Sequence, residues 1–302
     1  MCYNLAGDCM ICNLCPRNCN SLRDENTGRG FCKMGYLPKV ARIAPHMWEE
    51  PCISGTKGSG TVFFSGCTLN CIFCQNYEIS AKNFGKVISV NQLAKEFEKL
   101  ENMGVHNINL VSPTPYVDSI IKALDIYRPN IPVVYNCGGY EKTDTIKRLE
   151  GYVDIYLPDF KYSSNELARK YSCADNYVEI TTDAIKEMLR QTGKPVFDNN
   201  GIMEKGTIIR HLVLPNHTKN SIGVIDILNN NFDNYLISLM GQYIPCGKAK
   251  ETEKLNRTVT KREYNKVRDY VVDCGIEGFA QELSSADEKY VPVWDYEIPL
   301  NS

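Results

Sequence analysis

The amino-acid sequence predicts an α/β protein in which a loop-rich, metal-binding N-terminal segment precedes a partial (β/α)6 barrel. Two observations support this prediction. After residue 52, short apolar or β-branched runs alternate with longer amphipathic stretches, and most of the 14 cysteines lie within the first 74 residues. Repeated alternation of strands and helices indicates a parallel sheet. We therefore divide the chain into a cysteine-rich segment at 1–52 and a barrel at 53–302.

The predicted strands are short runs rich in apolar and β-branched residues. They lie at 61–66, 105–112, 131–136, 152–157, 206–214 and 234–240, and 278–283 adds a short final strand. The amphipathic stretches predict helices near 91–103, 116–127, 142–150, 164–172, 182–191, 219–229 and 260–273. In a barrel of parallel strands the working face lies at the carboxyl ends of the strands. The loop 65–76, which leaves the first strand, is therefore predicted to lie at that face.

Composition excludes several classes of function. The 302 residues include 34 Lys and Arg against 36 Asp and Glu, so the net charge is −2 and no strong field attracts nucleic acid or acidic membranes. No apolar run reaches the roughly 18–20 residues that cross a bilayer. The sequence therefore predicts a soluble, cytoplasmic protein with no nucleic-acid or membrane partner. In a reducing compartment its cysteines would remain thiols that can bind metals.

Three cysteines in the loop after the first strand, Cys67, Cys71 and Cys74, have the spacing C-x3-C-x2-C. Structural zinc sites and sealed iron–sulfur clusters take four protein ligands. Three thiolates therefore suit a [4Fe–4S] cluster whose fourth iron is open to a small molecule. Phe73, beside Cys74, would provide an apolar wall. The alternative is a zinc site completed by a ligand from elsewhere in the chain.

With this placement, Cys67, Cys71, Phe73 and Cys74 resemble the hallmark of the radical S-adenosylmethionine superfamily, C-x3-C-x-aromatic-C after the first strand of a β/α barrel. The resemblance implies that the open iron binds the amino and carboxylate groups of S-adenosylmethionine. It implies that the reduced cluster cleaves the sulfonium to a 5′-deoxyadenosyl radical, which abstracts hydrogen from a substrate. An external electron donor such as flavodoxin or ferredoxin is also implied.

Later stretches resemble the branch that contains the activating enzyme of pyruvate formate-lyase, especially its relatives with an N-terminal cysteine cluster. These stretches are CQNYEIS (74–80), VSPTPY (111–116), VVYNCGGYE (133–141), DIYLPDFKY (154–162) and RHLVLPNH (210–217). The resemblance implies a glycyl radical on a partner enzyme, while a peptide or a small metabolite remains open as the substrate. Where activating enzymes usually carry Gly-Gly-Glu, this chain has Ser-Pro-Thr-Pro at 112–115. The sequence therefore leaves open how the cofactor's amino group is held.

The resemblance also implies residues that bind S-adenosylmethionine. The candidates are Phe73, Asn76, Ser112, Thr114, Asn136, Asp159, Lys161 and Arg210. Asp159 and Lys161 match an Asp-x-Lys element of the activating enzymes, although they could instead form a solvated salt bridge.

Alternation in the strand 206–214 places Arg210 and His211 on opposite faces. A charged Arg within a buried strand is costly without an anion, and the cofactor's carboxylate would supply one. His211 is expected to face the helices as a core residue. Gln281 and Glu282 are expected near the cavity floor, and the pair Gly138–Gly139 either approaches a ligand or only makes a turn.

Near the N-terminus, Cys12, Cys15 and Cys19 are followed by Cys32 in GRGFC. The pattern resembles the N-terminal cluster of that same branch. Four thiolates close a site completely, which suits either structural zinc or an auxiliary iron–sulfur cluster. Both cysteine groups would also fit a non-catalytic electron carrier or a metal-responsive binding module, and this is the alternative to an enzyme.

Overall fold

The computed structural model describes residues 10–283 and Trp294. In this part of the chain the strands are β1 (Met10–Cys12), β2 (Ser21–Arg23), β3 (Lys39–His46), β4 (Ser59–Phe64), β5 (Lys86–Val87), β6 (Ile108–Val111), β7 (Val133–Cys137), β8 (Ile155–Pro158), β9 (Val196–Phe197), β10 (Met203–Leu212), β11 (Leu236–Met240) and β12 (Gly278–Ala280). The α-helices are α1 (Pro51–Ser54), α2 (Tyr77–Ser80), α3 (Val90–Asn102), α4 (Val117–Ile126), α5 (Thr143–Lys147), α6 (Asn165–Ser172), α7 (Tyr177–Thr192), α8 (Thr218–Asn231) and α9 (Lys261–Asp273). Short 3-10 helices lie at Thr114–Tyr116 and Gly247–Glu251.

Within the described residues the main sheet has ten strands, and its central path runs in the order β12-β11-β10-β8-β7-β6-β4-β3-β5. Every neighbouring pair from β12 to β4 is parallel. The six predicted strands and the short final strand are therefore all present. The fold is α/β with a parallel sheet, as predicted, and the strand order is that of a partial barrel.

The strands of the sheet centre are buried along their whole length. Every residue of β4, β6, β7 and β8 is buried. Parallel strands covered on both faces are expected to read as continuous apolar runs, which is why the sequence located them. The helices between them begin at clear signals, such as the capping box of Ser89 and Gln92 before α3 and that of Thr260 and Glu263 before α9.

Strand β3 was not predicted, because it lies within the segment interpreted as loop-rich. It pairs antiparallel with β4, from Val40 opposite Phe64 to His46 opposite Ser59. A register shift near Arg42 interrupts its alternation, which hides the strand in the sequence. The main sheet thus begins before residue 53, and the small β1–β2 sheet is the separate part of the N-terminal segment.

The amino end of the barrel is filled by apolar side chains. Cys52 and Ile53 of α1 pack in a cluster with interior residues of the strands, including Val134, Ile155 and Ile208. In the described part of the chain, none of the helices combines the length and apolar character that crossing a bilayer requires.

Candidate active site

A cavity of about 360 Å³ lies in the barrel, and most of its wall comes from the carboxyl ends of the parallel strands and the loops that follow them. All of the predicted site residues of the barrel except Thr114 line it. The three cysteines of the loop after β4 share its wall with residues from the ends of β6, β7, β8 and β10. The structure thus brings the predicted cluster loop and the predicted cofactor ligands to one place.

Gly66 starts the loop that carries the cysteines. Its φ of +82° lies in the region that favours glycine, and a Cβ at this position would lie 2.3 Å from Cγ of Met34. The loop is held by backbone hydrogen bonds from Ile72 N to Tyr171 O at 2.9 Å and from Cys74 N to Cys71 O at 3.2 Å. A larger residue at 66 would therefore displace the N-terminal segment or the loop.

Each of the three cysteine sulfurs accepts a hydrogen bond. The donors are Leu69 N to Cys67 at 3.4 Å, Ser172 Oγ to Cys71 at 2.8 Å and Ser80 Oγ to Cys74 at 3.4 Å. Thiolates bound to iron are acceptors that such donors stabilise. The donor set around this loop therefore fits a metal–thiolate centre.

Burial makes free thiolates at this loop unfavourable. It raises the pKa of the Cys71 thiol to about 12 and that of the Cys74 thiol to about 11, although the nearby Lys161 ammonium opposes the shift. Thiolates in such a place need further positive charge, which a bound metal supplies.

A network of charged side chains forms another part of the wall. Asp159 Oδ2 lies 2.5 Å from Lys161 Nζ, and Asp159 Oδ1 lies 2.9 Å from Arg210 Nε. Arg210 also donates to Asn136 Oδ1, and its Nη1 lies 3.4 Å from Glu49 Oε2. Burial alone would raise the pKa of Asp159, but Arg210 and Lys161 outweigh it, so this pKa lies below its usual value.

This network corrects one argument from the sequence. Arg210 lies in β10 with a side chain that is only 14% exposed, but Asp159 already provides an anion within the chain. The burial of Arg210 therefore does not by itself require the carboxylate of a ligand. The alternative of a solvated pair is also wrong, since the side chains of Asp159 and Lys161 are only 14% and 15% exposed.

Glu49 is a cavity residue that the sequence analysis missed. It follows β3 at the end where His46 pairs with Ser59, so it enters the barrel from the side opposite the cysteine loop. Its Oε1 accepts from Asn109 Nδ2 at 3.2 Å and from Asn136 Nδ2 at 3.4 Å. Burial raises the pKa of Glu49 to about 7, against the opposing effect of Arg210.

Thr114 does not reach the cavity. It is buried, and its hydroxyl donates to Glu141 Oε1 at 2.7 Å. Burial raises the pKa of Glu141 to about 7. We therefore do not retain Thr114 as a cofactor ligand. Ser112 does line the cavity and has a φ of +58°, a strained conformation for serine that turns the chain at the end of β6.

Of the other residues considered, Asn76 and Gln281 line the cavity, whereas Glu282 is not part of the wall. Gly138 also lines it. Gly139 has a φ of +78°, and a Cβ there would lie 2.0 Å from Asp159 O. The absence of a Cβ at Gly139 therefore allows the backbone there to lie close to the backbone at Asp159.

His211 faces the helices, as predicted. Nδ1 donates to Phe160 O at 2.7 Å, and Nε2 accepts from Ser221 Oγ at 2.9 Å. These two partners define the neutral tautomer. Burial lowers the pKa of His211 to about 4.

The four N-terminal cysteines are brought together outside the barrel. Cys12, Cys15, Cys19 and Cys32 line one small cavity, and Thr68 of the loop 65–76 also contributes to its wall. Across the described residues, no group of three or more Cys, His, Asp or Glu side chains converges closely enough to hold a single metal ion.

Comparison with known proteins identifies the family. The sequence model of the Radical SAM superfamily matches residues 61–226. Uncharacterized protein MJ0674 of Methanocaldococcus jannaschii is 34% identical over 264 residues, which are 84% of this chain and 72% of that protein. The chain belongs to the radical S-adenosylmethionine superfamily. It is an enzyme of this superfamily, and its cofactors are a [4Fe–4S] cluster and S-adenosylmethionine.

Solved structures of similar fold include Streptococcus suis SuiB bound to the precursor peptide SuiA. This match has a TM-score of 0.50 and 13% identity, and it covers 73% of this chain and 48% of SuiB. The chain thus spans about half the length of SuiB. A domain of pyruvate-formate lyase-activating enzyme from Bacteroides vulgatus matches with a TM-score of 0.38 and 11% identity, over 64% of this chain and 91% of that domain. The similarity to SuiB supports the α/β fold.

Proposed function

We propose that this enzyme cleaves S-adenosylmethionine reductively and uses the resulting radical to abstract hydrogen from a protein or peptide. The narrower form of the proposal is that the substrate is a partner enzyme, on which a glycyl radical is formed. The observation that carries the proposal is the shared cavity, which joins three cysteines of one loop to a buried charged network. When bound, the [4Fe–4S] cluster supplies the electron for cleavage, and the cofactor supplies the 5′-deoxyadenosyl radical.

In this proposal Cys67, Cys71 and Cys74 hold the cluster through three of its irons. The hydroxyl of Ser172 and that of Ser80 hold negative charge on two of the sulfurs. Hydrogen bonds to cluster sulfurs are one of the means by which proteins set the reduction potential. Phe73 is only 5% exposed and excludes water beside the loop.

The charged network would orient S-adenosylmethionine. Lys161 and Arg210 carry the positive charge that attracts its carboxylate, and Asp159 can accept from its ribose hydroxyls. Asn136, Asn76 and Ser112 add uncharged donors and acceptors along the same wall of the cavity. Because Asp159 bonds both cations, the network is held in place before any ligand arrives.

The size of the cavity supports a large substrate that inserts a small part of itself. Pockets of about 300–1,000 Å³ hold one ligand of drug size, and S-adenosylmethionine alone is such a ligand. A cavity of about 360 Å³ therefore leaves little room for a second whole molecule. A protein or peptide could present one residue at the mouth. SuiB, which has a similar fold, was solved with a precursor peptide bound.

The cleavage reaction is tested with anaerobically reconstituted protein, dithionite and S-adenosylmethionine. We expect release of 5′-deoxyadenosine by the unaltered chain and by Cys274→Ala, which alters a thiol outside the cavity, but no release by Cys71→Ala. Equal release by all three proteins would contradict the proposal.

The substrate class is tested separately with size-fractionated anaerobic extract. We expect the macromolecular fraction to stimulate 5′-deoxyadenosine release and to acquire a carbon-centred radical detectable by electron paramagnetic resonance. Stimulation by the small-molecule fraction alone would favour a metabolite and leave the cleavage reaction standing.

A further inference from the structure

Arg23 is a buried cation beside the four N-terminal cysteines. Arg23 is only 2% exposed. The guanidinium donates to Met34 O at 2.8 Å, to Gly35 O and to Cys12 Sγ at 3.5 Å. Among the described residues, no carboxylate forms an ion pair with it. A buried guanidinium without an anion is strongly unfavourable.

The cavity that Arg23 lines also contains all four sulfur-bearing side chains. Among the described residues of its wall, the four cysteines are the groups that can become anionic. Four thiolates around a metal centre carry more negative charge than iron or zinc ions neutralise, so such a centre is an anion that would offset Arg23. The buried cation therefore indicates that the cysteines are bound to metal as thiolates.

We propose that Cys12, Cys15, Cys19 and Cys32 hold a second iron–sulfur cluster, with Arg23 as its counter-charge. A tetrahedral zinc site has Zn–S distances of about 2.3 Å, so its sulfurs converge to about 3.8 Å from one another. Convergence of that kind is not found in residues 10–283. The three cysteines of the loop after β4 do not converge in that way either.

The second site is in direct contact with the catalytic loop. Arg17, between Cys15 and Cys19, donates from Nε to Thr68 O at 2.8 Å and from NH2 to Ser172 O at 3.1 Å. Thr68 follows Cys67, one of the catalytic cysteines. The second cluster, closed by four thiolates, cannot bind S-adenosylmethionine itself but lies against the loop that does.

The cluster is tested in a variant that lacks the catalytic cysteines, Cys67→Ala/Cys71→Ala/Cys74→Ala, purified and reconstituted without oxygen. We expect iron and acid-labile sulfide to remain in equal amounts, with a Mössbauer spectrum of a cluster. Adding Cys12→Ser should remove them, whereas adding Cys274→Ser should not. Zinc without iron, or no metal at all, would overturn the proposal. Because this variant has no catalytic cluster, the result is independent of the proposed function.

The role of Arg23 is tested in the same background by redox titration followed by electron paramagnetic resonance. We expect Arg23→Met to shift the midpoint potential of the remaining cluster to a more negative value, because a nearby positive charge favours the reduced cluster. Arg23→Lys should keep the potential close to that of the parent. An unchanged potential in Arg23→Met refutes the role of Arg23, and if that variant does not fold, a large shift in Arg23→Lys refutes it instead.

Discussion

Within the charged network of the cavity, replacement of Asp159 should destabilise the protein more than replacement of Arg210. Asp159 lies 2.5 Å from Lys161 and 2.9 Å from Arg210, and it is the partner that the two cations share. In Asp159→Asn, Arg210 would keep Glu49 at 3.4 Å and the more distant field of Glu50, whereas Lys161 would lose its carboxylate partner. Breaking a buried pair in this way costs about 3–5 kcal/mol.

Arg210→Met leaves a smaller imbalance of charge in the network. Asp159 keeps Lys161, and Glu49, whose pKa burial already raises to about 7, becomes neutral by binding a proton. The loss is then that of hydrogen bonds to buried acceptors, about 1–3 kcal/mol. At roughly 2 °C per kcal/mol for a chain of this length, Asp159→Asn should melt about 4 °C below Arg210→Met.

The measurement is the apparent melting temperature of the anaerobic, reconstituted proteins by circular dichroism at a fixed scan rate. The pH dependence gives a second check. Because the folded-state pKa of Glu49 is raised, the folded state binds a proton that the unfolded state has released. Stability therefore falls as pH rises from about 4.5 through about 7, and more so in Arg210→Met.

A result in which Arg210→Met melts below Asp159→Asn at pH 7 refutes this reasoning. It would mean that Glu49 remains ionised and depends on Arg210 more than Lys161 depends on Asp159. The unaltered protein, measured over the same pH range, is the reference. Asn109→Ser, which removes the side-chain amide that donates to Glu49 and leaves the charge unchanged, is the matched control for an uncharged change at the same place.

Three further predictions concern single contacts. Burial lowers the pKa of His211 to about 4, so the free energy of unfolding should fall by up to about 3 kcal/mol as pH decreases from about 6.5 to 4. Denaturant titration at each pH measures this profile, and His211→Gln should flatten it over the same range. Thr114→Val removes the 2.7 Å donor to Glu141 and should cost about 1–3 kcal/mol without weakening S-adenosylmethionine binding; weaker binding in calorimetry would return Thr114 to the site. Ser172→Ala removes the donor to Cys71 and should make the catalytic cluster's midpoint potential more negative in an anaerobic redox titration, and an unchanged potential would show that this contact is lost in the loaded enzyme.

The parallel strands could be predicted because each is an apolar run bounded by turn residues. The first strand, predicted at 61–66, is found at Ser59–Phe64, and that at 152–157 is found at Ile155–Pro158. The cysteine loop could be predicted from spacing alone, since its residues are close in sequence. Strand β3 could not, because an antiparallel strand with Arg42 and Pro45 in it lacks a continuous apolar pattern.

The wrong or missing predictions about site residues have a common origin, because the sequence does not show the path that the backbone takes between strands. Glu49 enters the cavity only because β3 carries the chain to the amino end of the barrel, so missing β3 meant missing Glu49. Thr114 is turned away by the strained backbone at Ser112, which no residue pattern reveals. For Arg210 the buried position was correct but its partner was not, because Asp159 belongs to a different strand end.

The position of β3 has a practical consequence for truncated proteins. A chain shortened to begin at residue 53 would keep the matched region 61–226 intact. It would nevertheless lose the interior carboxylate of Glu49, the Cys52 side chain that helps to fill the amino end of the barrel, and strand β3, which covers the edge of β4. Such a fragment would expose the backbone of a fully buried strand and should aggregate. Expression trials should therefore treat the cysteine-rich beginning and the barrel as inseparable.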